Sequence, residues 1–149
     1  MSLVTPTQVV LDLVTSDRTE AIRTLAETFV PDGRVSDLEG FLADIQRRED
    51  LMATGLPGGI AIPHSRSPHI TEPSMAFGRS TVGIDWGAAD GPARLVFLIG
   101  VPAGGQSDQL AVLAQLARRL TRASFRDQLL TLTDAQAICD LLEQEVIRA

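Results

Sequence analysis

A single cysteine, Cys139, is present among 149 residues, so no internal disulfide braces the chain and a reducing compartment suits it. Its neighbours Ile138, Leu141 and Leu142 mark it as a small buried hydrophobe. Long apolar runs are also missing. The longest, Leu95 to Val101, falls far short of the roughly 20 residues that cross a bilayer, and the N-terminus has no basic segment leading into an apolar one. These absences predict a soluble, unexported, cytoplasmic protein without direct membrane insertion. Positive charge is sparse: 13 basic residues stand against 19 acidic ones for a net charge of −6. They are scattered rather than striped, which leaves nothing to neutralise a phosphate backbone, so nucleic acid is not an expected partner. No Cys or carboxylate is grouped with a histidine at ligand spacing. The glycine pairs Gly58-Gly59 and Gly104-Gly105 lack the lysine and the strand-to-helix setting of a phosphate-binding loop. Neither a metal, a nucleotide nor any other cofactor is expected.

What the chain has is apolar content, 44%, enough for one core, and no linker or repeat divides residues 1–149, which read as one domain. An extended opening at Gln8 to Leu11 gives way to Thr15-Ser16-Asp17, after which Ile22, Leu25, Ala26 and Phe29 fall on one helical face. Ser36 and Glu39 form a capping-box pattern ahead of a second helix carrying Leu38, Phe41, Leu42 and Ile45 toward Arg47-Arg48-Glu49. Gly59-Ile60-Ala61-Ile62 reads as a short buried strand that Pro63 ends, which sets His64 where a strand opens into a loop. Met75 to Ser80 and Ala93 to Val101 read as two more strands, the second apolar on both faces and therefore central. Between them Trp86 reads as a turn-packing aromatic. Helices follow, with a stripe from Leu110 to Leu120, a short helix near Phe125 to Leu130, and a last one opened by Thr133 and Gln136. The fold class expected is α/β, a single domain whose mixed β-sheet is flanked by helices on both faces.

Only two histidines exist, His64 and His69. A neutral imidazole keeps a lone pair on one ring nitrogen while the other donates a hydrogen bond, so a well-held histidine can attack phosphorus without a separate base. The strand-end position suits His64 to that task, and a loop histidine bonded to backbone fits the same spacing. His69, in Ser67-Pro68-His69-Ile70, reads as a surface residue.

Arg48-Glu49, Thr54-Gly55 and Gly59-Ile60-Ala61-Ile62-Pro63-His64 resemble the signature of the fructose/mannitol (type 2) enzyme IIA family of the phosphoenolpyruvate-dependent sugar phosphotransferase system. The resemblance continues through Gly83-Ile84-Asp85-Trp86, Leu95 to Ile99, Val101-Pro102 and Leu110 to Leu120, and is nearest the fructose branch. It implies a relay. Enzyme I charges HPr, HPr charges this domain on Nε2 of His64, and a cysteine on enzyme IIB receives the phosphoryl group for sugar uptake. Arg48 matches the arginine that the family sets beside its histidine, where a guanidinium offers a planar fork to two phosphoryl oxygens. A solvated arginine paired with Asp44 is the other reading of Arg48.

The chain departs from the family where many members carry a second histidine, for here the pair is Gln109-Leu110. Gln109 cannot titrate, but its amide can donate to a phosphoryl oxygen or to the His64 ring; a solvated first-turn residue is the alternative. Ala53 replaces the serine usual before Thr54. Three functions remain open: a fructose-type transport phosphocarrier, a regulatory domain of the nitrogen-related branch, and a binding module that keeps His64 but no longer transfers.

Overall fold

Two long strands organise the molecule, and the computed structural model describes residues 2–104 and 108–147, the side chains of 108–110 excepted. β5 (Ser74–Ile84) and β6 (Ala93–Pro102) pair antiparallel, with Phe77 opposite Phe97 and their rings 5.1 Å apart. β6 is buried on both faces, as a central strand must be. The short β1 (Val9–Val10) runs parallel to β5 on its outer side. Beyond β6 lie β3 (Ile60–Ala61) and β4 (His64–Ser67), both parallel to it, while β2 (Gly55–Leu56) turns back antiparallel on β3. Gly58 and Gly59 make that tight turn at φ of 94° and 77°, a region that disfavours side chains. The sheet is mixed, as expected.

Alternating residues of these strands feed two cores. On one face Met75, Phe77, Leu95, Phe97 and Ile99 pack against α3 (Asp108–Arg119), α4 (Ala123–Thr131) and α5 (Ala135–Leu142). On the other, Ala76, Val96 and Leu98 pack against α1 (Arg18–Glu27) and α2 (Leu38–Leu51). Helices therefore flank both faces. Gly100 lets α2 come close, since a Cβ there would meet Ile70 at 2.9 Å and Phe41 at 3.1 Å. Among the described residues no helix is long and apolar enough to cross a membrane.

Two expected helix caps shift by one residue. Asp37, not Ser36, caps α2 by accepting from the Gly40 amide at 3.1 Å, and Asp134, not Thr133, caps α5 by accepting from Gln136 at 3.2 Å. A carboxylate is the better acceptor at the positive end of a helix. Ser36 is occupied elsewhere, its amide and hydroxyl both donating to the His69 carbonyl.

Cys139 is buried in the α3–α5 core, as read from its neighbours. Burial, reinforced by the carboxylates of Asp140, Asp134 and Glu143, pushes its thiol up from the ordinary 9.0 to about 11. The chain has no tyrosine or lysine, so this thiol is the side chain that titrates in that range. Between these values the unfolded chain has lost a proton that the folded chain keeps, and stability falls as pH rises. Chemical denaturation from about pH 8 to 11 should show this decline in the wild type and a flatter profile in Cys139→Ala. Alkylation of the native thiol should await unfolding.

Candidate functional site

β3 and β4 lie along β6 in one register, with Ile60 opposite Leu95 and His64 opposite Ile99, an offset of 35 residues in both. Pro63 has no N–H to give the ladder and interrupts it. Its carbonyl nevertheless accepts from the Ile99 amide at 3.0 Å, and pairing resumes one residue later. His64 thus opens a strand instead of leaving one for a loop. A run of His-Ser-Arg-Ser carries no apolar alternation to announce this; the backbone pairing with β6 supplies it.

Side-chain alternation then sorts the residues. His64 pairs with Ile99 and Arg66 with Val101, both in the α3–α5 core, so His64 and the exposed Arg66 belong to that face. Ser65 and Ser67 belong to the α2 face. Among the described residues no strand pairs with the outer edge of β4, because β2 pairs with β3 alone. His64 is half-buried at this open edge.

The ring is fixed by one contact. Nδ1 lies 2.8 Å from the Ile62 carbonyl, and a carbonyl only accepts, so Nδ1 carries the proton and donates it there. In the neutral ring the lone pair is then on Nε2. This geometry joins the two readings that spacing left open: the histidine is bonded to backbone, and that bond frees the other nitrogen for chemistry.

α2 runs antiparallel to β4. Gly40 sits against His69, where an added Cβ would come 2.5 Å from Nε2, and Asp44 accepts from the Ser67 hydroxyl at 2.6 Å. Four residues of helix advance about 6 Å and two of strand about 6.6 Å, so the next step sets Arg48 level with Ser65, beside the His64 end. Arg48 donates from Nη1 to the Met52 carbonyl at 3.3 Å. Asp44 is engaged by Arg47 at 2.9 Å and by Ser67, while Arg48, an equally near neighbour on the helix, turns to the Met52 carbonyl. Gln109 lies in the first turn of α3, the helix on the His64 face, and its side chain falls outside the described residues. His69 is apart from this edge, its Nδ1 3.9 Å from Asp37.

Glu49 was the residue that spacing undervalued. It continues the buried stripe Phe41–Ile45 at i+4, is 6% exposed, and accepts from the Thr54 amide at 3.2 Å, from the Thr54 hydroxyl, and from the Trp86 indole at 3.2 Å. Arg18 lies 4.0 Å away. Trp86 is therefore a fully buried core residue with a polar partner, not a turn aromatic, because its indole N–H needs an acceptor that only the interior carboxylate offers. A carboxylate on an apolar helical stripe was the signal for such a network.

The family model described as "Phosphoenolpyruvate-dependent sugar phosphotransferase system, EIIA 2" matches residues 2–145. The chain belongs to that family. As an enzyme IIA it is a phosphotransferase component of the sugar phosphotransferase system. The fructose-specific EIIA component of Haloferax volcanii is 36% identical over 148 residues, covering 98% of this chain and 96% of the relative. The fructose-specific EIIABC component of Bacillus subtilis is 33% identical over 143 residues, and this enzyme IIA spans 95% of itself but 22% of that longer relative. Among solved structures, the nitrogen regulatory protein IIA-Ntr of Neisseria meningitidis superposes with a TM-score of 0.86 at 26% identity, covering 94% of this chain and 96% of that one.

The Asp44–Ser67 bond ties α2 to β4 in this enzyme IIA, and Ser67 also accepts from the His69 amide at 3.1 Å. Ser67→Ala should cost about 2 kcal/mol, the value of a bond to a charged acceptor plus a stranded amide. Urea denaturation measures it; a variant as stable as wild type would mean that the clamp carries no net energy.

Proposed function

We propose that this enzyme IIA accepts a phosphoryl group from HPr on Nε2 of His64 and passes it to enzyme IIB in the cytoplasm, serving fructose uptake. The observation that carries this is the 2.8 Å bond from Nδ1 to the Ile62 carbonyl, which leaves Nε2 as the nucleophilic nitrogen at an open sheet edge. The Nε2 lone pair attacks phosphorus, the new N–P bond forms as the donor's breaks, and the electron pair of the broken bond returns to the donor. The proton on Nδ1 never moves. Positive charge that develops on the ring is met by the carbonyl, in the way that a fixed acceptor steadies an imidazolium elsewhere in catalysis. In the onward step a thiolate of enzyme IIB forms an S–P bond, the Nε2–P bond breaks, and His64 recovers its lone pair.

Charge on the transferring group spreads over three oxygens, so the remaining need is alignment and donors. Arg48, level with the His64 end of β4, supplies the fork of a guanidinium, and the Gln109 amide a neutral donor. Fructose is favoured by the names of the Haloferax and Bacillus relatives, and the EIIABC relative combines A, B and C components in one chain, which supports enzyme IIB as acceptor. The likeness to IIA-Ntr favours a second reading, in which phosphorylation of His64 controls binding to other proteins. Purified enzyme IIB separates the two, because only the transport reading has the phosphoryl group leave for it.

Intact-mass analysis with phosphoenolpyruvate, enzyme I and HPr should show one acid-labile phosphoryl group in the wild type, retained in His69→Gln and absent in His64→Gln. Labelling of His64→Gln would move the acceptor to another residue, and an unlabelled wild type would favour the non-transferring module; either overturns the assignment. In single-turnover transfer Arg48→Ala should be slower by about 10²-fold, the usual loss for one preorganised donor, with Arg48→Lys intermediate. Gln109→Ala should lose about threefold, in line with a neutral hydrogen bond. An unchanged rate would remove the residue concerned from the site.

A further inference from the structure

Between the buried carboxylate and the ring of His64, three hydrogen-bonded links are joined through the backbones of Thr54 and Ile62. Glu49 accepts from both the amide and the hydroxyl of Thr54, the Thr54 carbonyl accepts from the Ile62 amide at 3.1 Å, and the Ile62 carbonyl accepts from Nδ1 of His64. The two Ile62 groups belong to neighbouring peptide planes that share one α-carbon, so fixing the first restricts the second. This matters because Ile62-Pro63 is the one break in the β3–β4 ladder, where β6 offers least restraint. We infer that Glu49 is a positioning residue for phosphoryl transfer, acting through Thr54 and Ile62 to hold the carbonyl that selects the Nδ1–H tautomer of His64.

The inference rests on His64 being the phosphoryl acceptor, but the link itself does not. Trp86 shares the Glu49 carboxylate and stands outside the series, since its indole donates to Glu49 and leads no further toward His64. A role confined to stability would make Trp86 and Thr54 equivalent. A positioning role separates them: loss of Thr54 contacts releases the Ile62 peptide, and the ring proton is then free to return to Nε2, where it blocks the lone pair. Glutamine at 49 keeps the shape, and with the Thr54 hydroxyl turned to accept from its amide it can satisfy the same three partners.

The test reads the His64 ring nitrogens by long-range ¹H–¹⁵N NMR in the unphosphorylated full chain, with the ring neutral, and single-turnover transfer from phosphorylated HPr. Glu49→Ala should shift the tautomer toward Nε2–H and slow transfer about tenfold, as expected for a misaligned nucleophile. Glu49→Gln should restore both to near wild type, and Trp86→Phe should leave the tautomer unchanged. If Glu49→Ala does not fold, Thr54→Val carries the test by removing the hydroxyl alone, and a smaller shift in the same direction is expected. A folded Glu49→Ala or Thr54→Val with the wild-type tautomer overturns the inference, as does a Trp86→Phe tautomer shift equal to theirs. Were the wild type never phosphorylated while the tautomer still followed Glu49 and Thr54, the link would stand and the proposed function would fall.

Discussion

The carbonyl of Pro63 accepts from the Ile99 amide at 3.0 Å, and this bond carries the register of β3 across an interruption into β4. Because β6 is buried on both faces, its residues cannot trade faces without upsetting the side-chain packing of both cores. Slippage of β4 by one residue would turn His64 toward α2 and pull Ser67 from Asp44. The proline removes a donor yet leaves an acceptor, so the ladder is broken at one amide and kept at the neighbouring carbonyl. The Ile62 carbonyl, next to an amide that pairs with Thr54 rather than with β6, is available to the His64 ring.

From that register the surroundings of His64 follow on two sides. Among the described residues β4 is outermost at its own level because β2 stops at β3, so no strand pairs with the sheet edge there. One helical layer brings α2 along the edge in antiparallel steps, Gly40 by His69 and then Asp44 by Ser67, which leads Arg48 to the strand's beginning. The other layer packs α3, through Leu116, on the face that His64 shares with Ile99. A group that must meet a donor and an acceptor in turn needs exposure, and one that must align an in-line transfer needs rigidity. An edge strand clamped by a central one provides both.

Much of this was legible in residue patterns, and the exceptions share a cause. Apolar periodicity located the five helices and the central strand, since those elements owe their existence to burial. β4 escaped because His-Ser-Arg-Ser is polar throughout and is a strand only by pairing with β6. The caps at Ser36 and Thr133 failed because an aspartate followed each and its carboxylate took the cap of the helix instead. Trp86 was misread and Glu49 given no role for one reason, as each makes sense in the interior only with the other: an indole needs an acceptor, and a carboxylate needs donors. Local spacing describes one element at a time, whereas these features are agreements between elements far apart in the chain.

The choice of partner for Nδ1 has its own consequence for a phosphoryl carrier. A carboxylate in place of the Ile62 carbonyl would also fix the tautomer, but an anion beside the ring favours its protonated form and so withdraws the Nε2 lone pair from reaction. It would also stabilise the phosphorylated ring, whose charge is positive, and a carrier that holds its cargo too well is slow to release it. A peptide carbonyl orients the ring with a partial charge only. Glu49 keeps its carboxylate two peptide groups away, with Thr54 and Ile62 between it and the ring. Under the proposed function its influence reaches His64 as orientation rather than as direct ion pairing, an arrangement that suits one nitrogen to serve as nucleophile in the first transfer and as leaving group in the second.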